Sequence, residues 1–221
     1  MKLKKDQWVS DMHIDLAIQY VYKSNFAVRD KKCAYCPLSL QFMAKHGRCI
    51  TNSDIDMVFL VLCDKNHWVV LTNMNFSQAP MTAEGDQESV KQIVSLEEES
   101  EKQIWRVERR LQWYIYDSLY DTQHAQSARV VLKMLFPEEI GWPVEMIRVQ
   151  QQKGYNDCGL FAIGTLIALW NDVDPTTIVY RQSEMRNNFN DFIDSKMLIL
   201  AFRHDIQPAS SIKERVFVEF D

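Results

Sequence analysis

Twelve consecutive residues, Gly159 to Trp170 (GLFAIGTLIALW), carry no charge and form the longest apolar run of the chain. That is well short of the roughly 20 residues a membrane crossing requires, so the run is expected as a helix buried in a protein core. The chain around it has 221 residues, 47% hydrophobic and 25% charged, an ordinary balance for a single globular domain spanning residues 1–221. The polar stretch Gln150 to Asp157, broken by Gly154, reads as a loop emptying into the run. Cys158 therefore falls at the N-terminus of a buried helix.

The remaining pattern predicts an α+β domain, with strands in the middle and helices at both ends. Trp8 to Tyr22 spaces Val9, Met12, Leu16, Ile18, Val21 and Tyr22 as a helix, with Ser10 or Asp11 to cap it. Residues 57–73 hold two β-rich runs around Asp64, Lys65 and Asn66, a hairpin signature. Gln112 to Tyr116 predicts a strand ending at Asp117, Ala128 to Phe136 a helix stopping before Pro137, and Val144 to Val149 another strand. Pro175 is expected to open a helix with Met185, Phe189, Phe192 and Ile193 on its apolar face, followed by a helix through Leu198 and Phe202.

Between the second strand of the hairpin and the strand at Gln112 lies an insertion of about 35 residues, from about Asn75 to Arg109, where connections of roughly 4 to 6 are usual. It reads as a solvated surface excursion, with a substrate-gating lid as the alternative. Residues 84–101 carry seven acids against Lys91 alone, so the rest of the chain, with 24 basic and 23 acidic residues, is close to neutral. No basic face for nucleic acid is predicted. The five cysteines, Cys33, Cys36, Cys49, Cys63 and Cys158, are odd in number and irregularly spaced, which excludes a full disulfide framework and suits a reducing compartment. The basic start, Met1 to Lys5, runs into Asp6 and Gln7 with no apolar core, so no secretory signal is read. An intracellular monomer, nuclear or cytoplasmic and without membrane attachment, is expected.

A thiol in the first turn of a helix meets unpaired backbone N–H groups, which favour the thiolate. Cys158 is thus a candidate nucleophile, although a buried cysteine more often simply packs. Gln152, six residues earlier across a loop, can aim its amide above the sulfur and, with the Cys158 N–H, form a two-donor oxyanion hole. Gly154 and Gly159 supply conformational freedom for so tight an approach. His67 begins one strand and Asp117 ends another, so a base and its orienting carboxylate can meet at one sheet edge. Taken singly, His67 is an ordinary hairpin histidine and Asp117 an ordinary turn residue; their joint order gives them meaning.

That order, His67-Trp68, then Tyr116-Asp117-Ser118-Leu119, then Gln152 with Asn156-Asp157-Cys158-Gly159-Leu160-Phe161, resembles the ubiquitin-like-protein proteases, the SUMO-protease family, with the adenovirus maturation protease as a distant cousin. Trp8-Val9-Ser10-Asp11 is similar to that family's Trp-Leu-Asn-Asp opening. The resemblance spans Trp8 to Phe202. It implies a central mixed sheet, papain-like in permuted order, with His67 as general base, Asp117 as its orienter, Cys158 as nucleophile and Gln152 as oxyanion donor. It also implies that Trp8 and Trp68 line a narrow channel for the Gly-Gly tail of a ubiquitin-like modifier, the implied partner, and that no cofactor is used. The departure from the family is the 50-residue separation of His67 and Asp117, caused by the acidic insertion.

Cys33, Cys36, His46 and Cys49, spaced C-x2-C-x9-H-x2-C, form a competing motif suited to tetrahedral zinc. Its gap is shorter than a usual finger, and buried thiols in a helix-strand connection are the preferred reading, with no metal expected. The enzyme alternatives are a viral or mobile-element-type processing protease cutting after small residues, and acetyl transfer on the same fold. The non-enzyme alternative is a module that binds modifiers or zinc without turnover.

Overall fold

The computed structural model describes residues 2–24, 32–36, 55–63, 66–74, 76, 112–136, 144–195, 202–206 and 215–218. Along the chain these form α1 (Asp11–Ser24), β1 (Lys32–Tyr35), β2 (Asp56–Cys63), β3 (His67–Thr72), β4 (Trp113–Asp117), α2 (Thr122–Leu135), β5 (Val144–Arg148), α3 (Cys158–Trp170), a 3-10 turn (Pro175–Thr177), β6 (Ile178–Tyr180), α4 (Gln182–Ser195), β7 (His204–Ile206) and β8 (Arg215–Val218). Six strands make one mixed sheet in the order β1-β2-β3-β4-β5-β8, and β6 pairs with β7 separately. The α+β architecture expected from the sequence is the one observed. No helix among the described residues is long and apolar enough to cross a membrane.

The sheet is covered on both faces, which is why its strands read as nearly continuous apolar runs. Met57, Phe59, Val61, Val69, Leu71, Trp113 and Ile115 pack beneath α2 through Ala125, Ala128 and Leu132. Their alternate neighbours Val58, Leu60, Trp68, Val70, Tyr114 and Tyr116 form the opposite core with α1, α3 and α4. α3 is buried along almost its entire length, as its uncharged sequence requires. Ser10 begins α1: its carbonyl accepts from the N–H groups of His13 and Ile14, while its own N–H donates to His13 Nδ1 at 3.0 Å. His13 thereby takes the place glutamate holds in a capping box.

Three expectations are corrected. The second helix starts at Thr122 rather than Ala128, because the Asp121 carboxylate caps it by accepting from the Gln123 N–H. Pro175 opens only a 3-10 turn and the helix begins at Gln182, since Ile178–Tyr180 are drawn into pairing with His204–Ile206. The helix expected through Leu198 and Phe202 does not include Phe202, which lies just before β7; Leu198 lies outside the described residues, as does most of the acidic insertion at 75–109.

Candidate active site

Strand direction brings the site together. β4 and β5 run parallel, with Asp117 opposite Arg148, and β3 runs antiparallel to β4. The start of β3 and the ends of β4 and β5 therefore share one edge of the sheet. His67 opens β3 just after Asn66, whose φ of 59° is left-handed, and Asp117 closes β4. The alternation that directs Val69, Leu71, Trp113 and Ile115 toward α2 directs His67 and Asp117 there also. His67 Nε2 is 2.7 Å from Asp117 Oδ1, and both residues are buried.

Asp117 is the most heavily hydrogen-bonded group of the site. Oδ1 also accepts from the Leu119 N–H at 2.8 Å; Oδ2 accepts from the Asp121 N–H at 3.0 Å and from His124 Nδ1 at 2.8 Å. Burial alone would raise its pKa, but the hydrogen bonds from His124, His67 and Leu119 and the nearby His67 outweigh it and hold the carboxyl well below the usual carboxylate range.

The loop after β5 is joined to the turn after β4. Gln152 N–H donates to the Ser118 carbonyl at 2.9 Å, and Ser118 Oγ donates to Gln152 Oε1 at 2.9 Å. Gln152 Nε2 donates to the Gly154 carbonyl at 2.9 Å, which uses one of its two amide hydrogens. Gly154 has φ 78°, a conformation that favours glycine. α4 fixes the end of this loop: Gln182 Nε2 donates to the Lys153 carbonyl and Asp157 Oδ2, each at 2.8 Å, and Arg186 reaches Asp157 Oδ1 at 2.6 Å.

Cys158 opens α3 and is 1% exposed. Its sulfur lies 3.8 Å from the Asn66 carbonyl oxygen, one residue before His67. Among the described residues no hydrogen bond joins His67 to Cys158; the thiol meets the Asn66–Trp68 backbone instead. The sequence predicted a thiol favoured as thiolate by its helix terminus. The structure reverses the direction: burial pushes the pKa up by more than the Trp68 and Gly159 N–H groups lower it, and the charges of Asp117 and Asp157 add smaller raises.

The two tryptophans take different places. Trp8 is 36% exposed and, with His67, Leu119, Asp121, His124 and Tyr155, lines a cleft of about 290 Å³. Trp68 is buried at 2%, is absent from the lining of that cleft, and donates its indole N–H to the Val9 carbonyl at 2.8 Å. Val9 also packs against Gly159, where a Cβ would come within 2.3 Å of the Val9 Cβ. Trp68 and Gly159 thus fix the backbone that presents Trp8. Of the zinc motif, Cys33 lies in β1 and Cys36 follows it, neither of them in a disulfide, while His46 and Cys49 lie outside the described residues.

Sequence reasoning did not single out His124, Arg186, Gln182 or Tyr155. His124 was concealed in the polar first turn of α2, and the other three acquire meaning only from partners that folding brings near.

No protein-family model matches the sequence, and no curated protein sequence matches it. Solved structures do match. The SUMO protease Ulp1 with its catalytic cysteine oxidised to a sulfonic acid superposes with a TM-score of 0.53 and 15% identity, over 88% of this chain and 81% of that one. The C-terminal Ulp1 protease domain in complex with Smt3, the yeast orthologue of SUMO, gives 0.53 and 14% over 88% and 80%. The Xanthomonas campestris effector protein XopD bound to ubiquitin gives 0.52 and 14% over 86% and 93%. With its mixed sheet sandwiched between α2 and the helices α1, α3 and α4, this chain has the fold of the Ulp1-type cysteine proteases.

Proposed function

We propose that the protein is a cysteine protease that hydrolyses the peptide or isopeptide bond after the C-terminal Gly-Gly of a ubiquitin-like modifier, with a SUMO-like modifier favoured. The observation that carries this reading is the 2.7 Å His67–Asp117 pair at the same sheet edge as the Cys158 thiol, on a fold shared with Ulp1 and XopD. His67 Nε2 is held by Asp117, which leaves Nδ1 to receive the thiol proton. As that proton leaves, the Cys158 sulfur attacks the glycine carbonyl carbon. The oxyanion is stabilised by the Cys158 N–H, which has no acceptor within the helix, and by the second amide hydrogen of Gln152. The imidazolium then protonates the departing amine, and neutral His67 activates water to hydrolyse the thioester. Asp117 orients His67 throughout and stabilises its charged form. Catalytic hydrogen bonds that are open in a free enzyme close when substrate binds, which accommodates the resting thiol beside Asn66.

Trp8 and Tyr155 supply exposed aromatic walls to the cleft, suited to an extended glycine tail. Trp68 contributes by anchoring Val9. SUMO and ubiquitin carrying a C-terminal electrophile after Gly-Gly test the reading: a covalent adduct with the unmodified enzyme, lost in Cys158→Ala, is expected. Cleavage of glycine-containing peptides with no adduct from either modifier would favour the processing-protease alternative. The preferred modifier is the one labelled faster.

A further inference from the structure

Asp117 does not serve one histidine; it serves two. His67 Nε2 lies 2.7 Å from Oδ1 and His124 Nδ1 lies 2.8 Å from Oδ2, and each oxygen also accepts one backbone N–H, from Leu119 and Asp121 respectively. A carboxylate offers about four lone-pair sites, and all four are engaged. The two imidazole rings are stacked, with centroids 4.3 Å apart and planes 20° from parallel. His124 is buried in α2, yet it lines the same cleft as His67.

We propose that His124 is a positioning residue for the reaction: its Nδ1–H fixes the plane of the Asp117 carboxylate, and its ring holds the His67 imidazole at the tilt needed to face Cys158. The inference rests on the triad reading above. The backbone donors alone do not provide this control, because Leu119 and Asp121 belong to a turn, whereas α2 is a capped helix packed on the sheet. The chemistry of the residue fits the task. Donation from Nδ1 defines one neutral tautomer of His124. A neutral donor restrains Asp117 without cancelling the charge that His67 needs when it becomes imidazolium. A lysine or arginine at this position would compete for that charge.

The two contributions of His124 separate in two variants. H124N keeps a donor where Nδ1 stands and loses the stacked ring; H124F keeps a stacked ring and loses the donor. With SUMO and ubiquitin bearing a C-terminal fluorogenic amide as probes, H124F is expected to lower kcat by roughly 10- to 100-fold, the usual cost of removing a group that orients another from behind. KM is expected to stay within about twofold, because the donor that H124F removes faces Asp117 rather than the cleft. H124N is expected to recover most of the lost kcat. Unmodified protein provides the second readout: long-range proton–nitrogen NMR at pH 8 should find His124 protonated on Nδ1 and His67 on Nε2. A His124 proton on Nε2 would overturn the proposal, as would wild-type kcat in a folded H124F or an H124N as slow as H124F. Should H124F not fold, the tautomer and the H124N rate decide. Turnover by Cys158→Ala would sink the triad reading instead, and the tautomer result would stand apart from it.

Discussion

At the scale of single residues, Cys158 and Gly159 show how closely reactivity depends on packing. Burial makes the resting thiol a weaker acid than an ordinary cysteine. Iodoacetamide labelling of Cys158, followed on its own peptide by mass spectrometry, is therefore expected to accelerate only above the ordinary thiol range of about pH 8.5. A rate already at its plateau below pH 7 would demonstrate a preformed thiolate and contradict this. The same shift has a sign for stability: because the folded thiol holds its proton more tightly, its contribution is complete below about pH 8.5 and declines as pH rises toward the folded pKa. Gly159→Ala presents opposing effects. Alanine favours a helix by about 1 kcal/mol, but three Val9 carbons stand 2.3 to 2.8 Å from the new methyl, and overpacking of this kind costs about 1–3 kcal/mol. The clash wins because Val9 is also tied to Trp68. A lower melting temperature and reduced modifier cleavage are expected; an unchanged melt would mean that the N-terminal segment yields freely.

Among the elements, α4 organises residues that never touch the reacting bond. The Arg186 guanidinium donates to the carbonyls of Lys4 and Gln7 at 2.7 and 2.8 Å, to that of Asn156 at 3.3 Å, and to Asp157 Oδ1 at 2.6 Å. The guanidinium spreads five N–H donors over a planar fork and meets all four acceptors from two nitrogens, whereas a lysine ammonium has three donors on one nitrogen. Arg186→Lys is expected to lose about 1–3 kcal/mol of stability, read as the denaturation midpoint, together with part of kcat; wild-type values for both would contradict the role. None of this was legible in the sequence, because Arg186 and Lys4 are 182 residues apart and backbone carbonyls carry no sequence signal. The hairpin, β4, β5 and the buried α3 were legible, since each is a long apolar run bounded by turn residues. The loop before Cys158 was legible through its polarity and Gly154. The edge strands β1 and β8 and the three-residue β6 and β7 went unread, being too short to show a period. α2 was read late because its cap, Asp121, precedes a polar first turn. His67, Asp117, Gln152 and Cys158 were candidates from residue type and order, whereas the exposure of Trp8 and the burial of Trp68 carry no signal in the sequence.

For the molecule as a whole, the acidic insertion joins β3 to β4, strands that are hydrogen-bonded antiparallel neighbours, with Val70 opposite Tyr116 and Thr72 opposite Tyr114. Such strands can be joined by a connection of a few residues, so the length of this one is not required by the topology. Replacing Gln78 to Lys102 with a short polar linker is expected to keep the circular dichroism spectrum and cooperative melt while changing modifier choice or its salt dependence. Loss of the cooperative melt would assign the segment to the core.

The strap that presents Trp8 is held from the far end of the chain: Asn190 accepts from the Leu3 N–H and donates to its carbonyl, and Arg186 takes Lys4 and Gln7. On the ribosome the strap is therefore made before its fastening, which follows His67, Asp117 and Cys158 in the chain. At about 5–20 residues per second, a few seconds separate the arrival of Cys158 from the arrival of the helix that completes its surroundings. Stalled nascent chains with α3 outside the exit tunnel but α4 still within it are expected to remain unlabelled by modifier electrophiles, and chains extended until α4 (Gln182–Ser195) has cleared the tunnel to become reactive in one step. Labelling of the shorter chains would show that the site assembles without its strap.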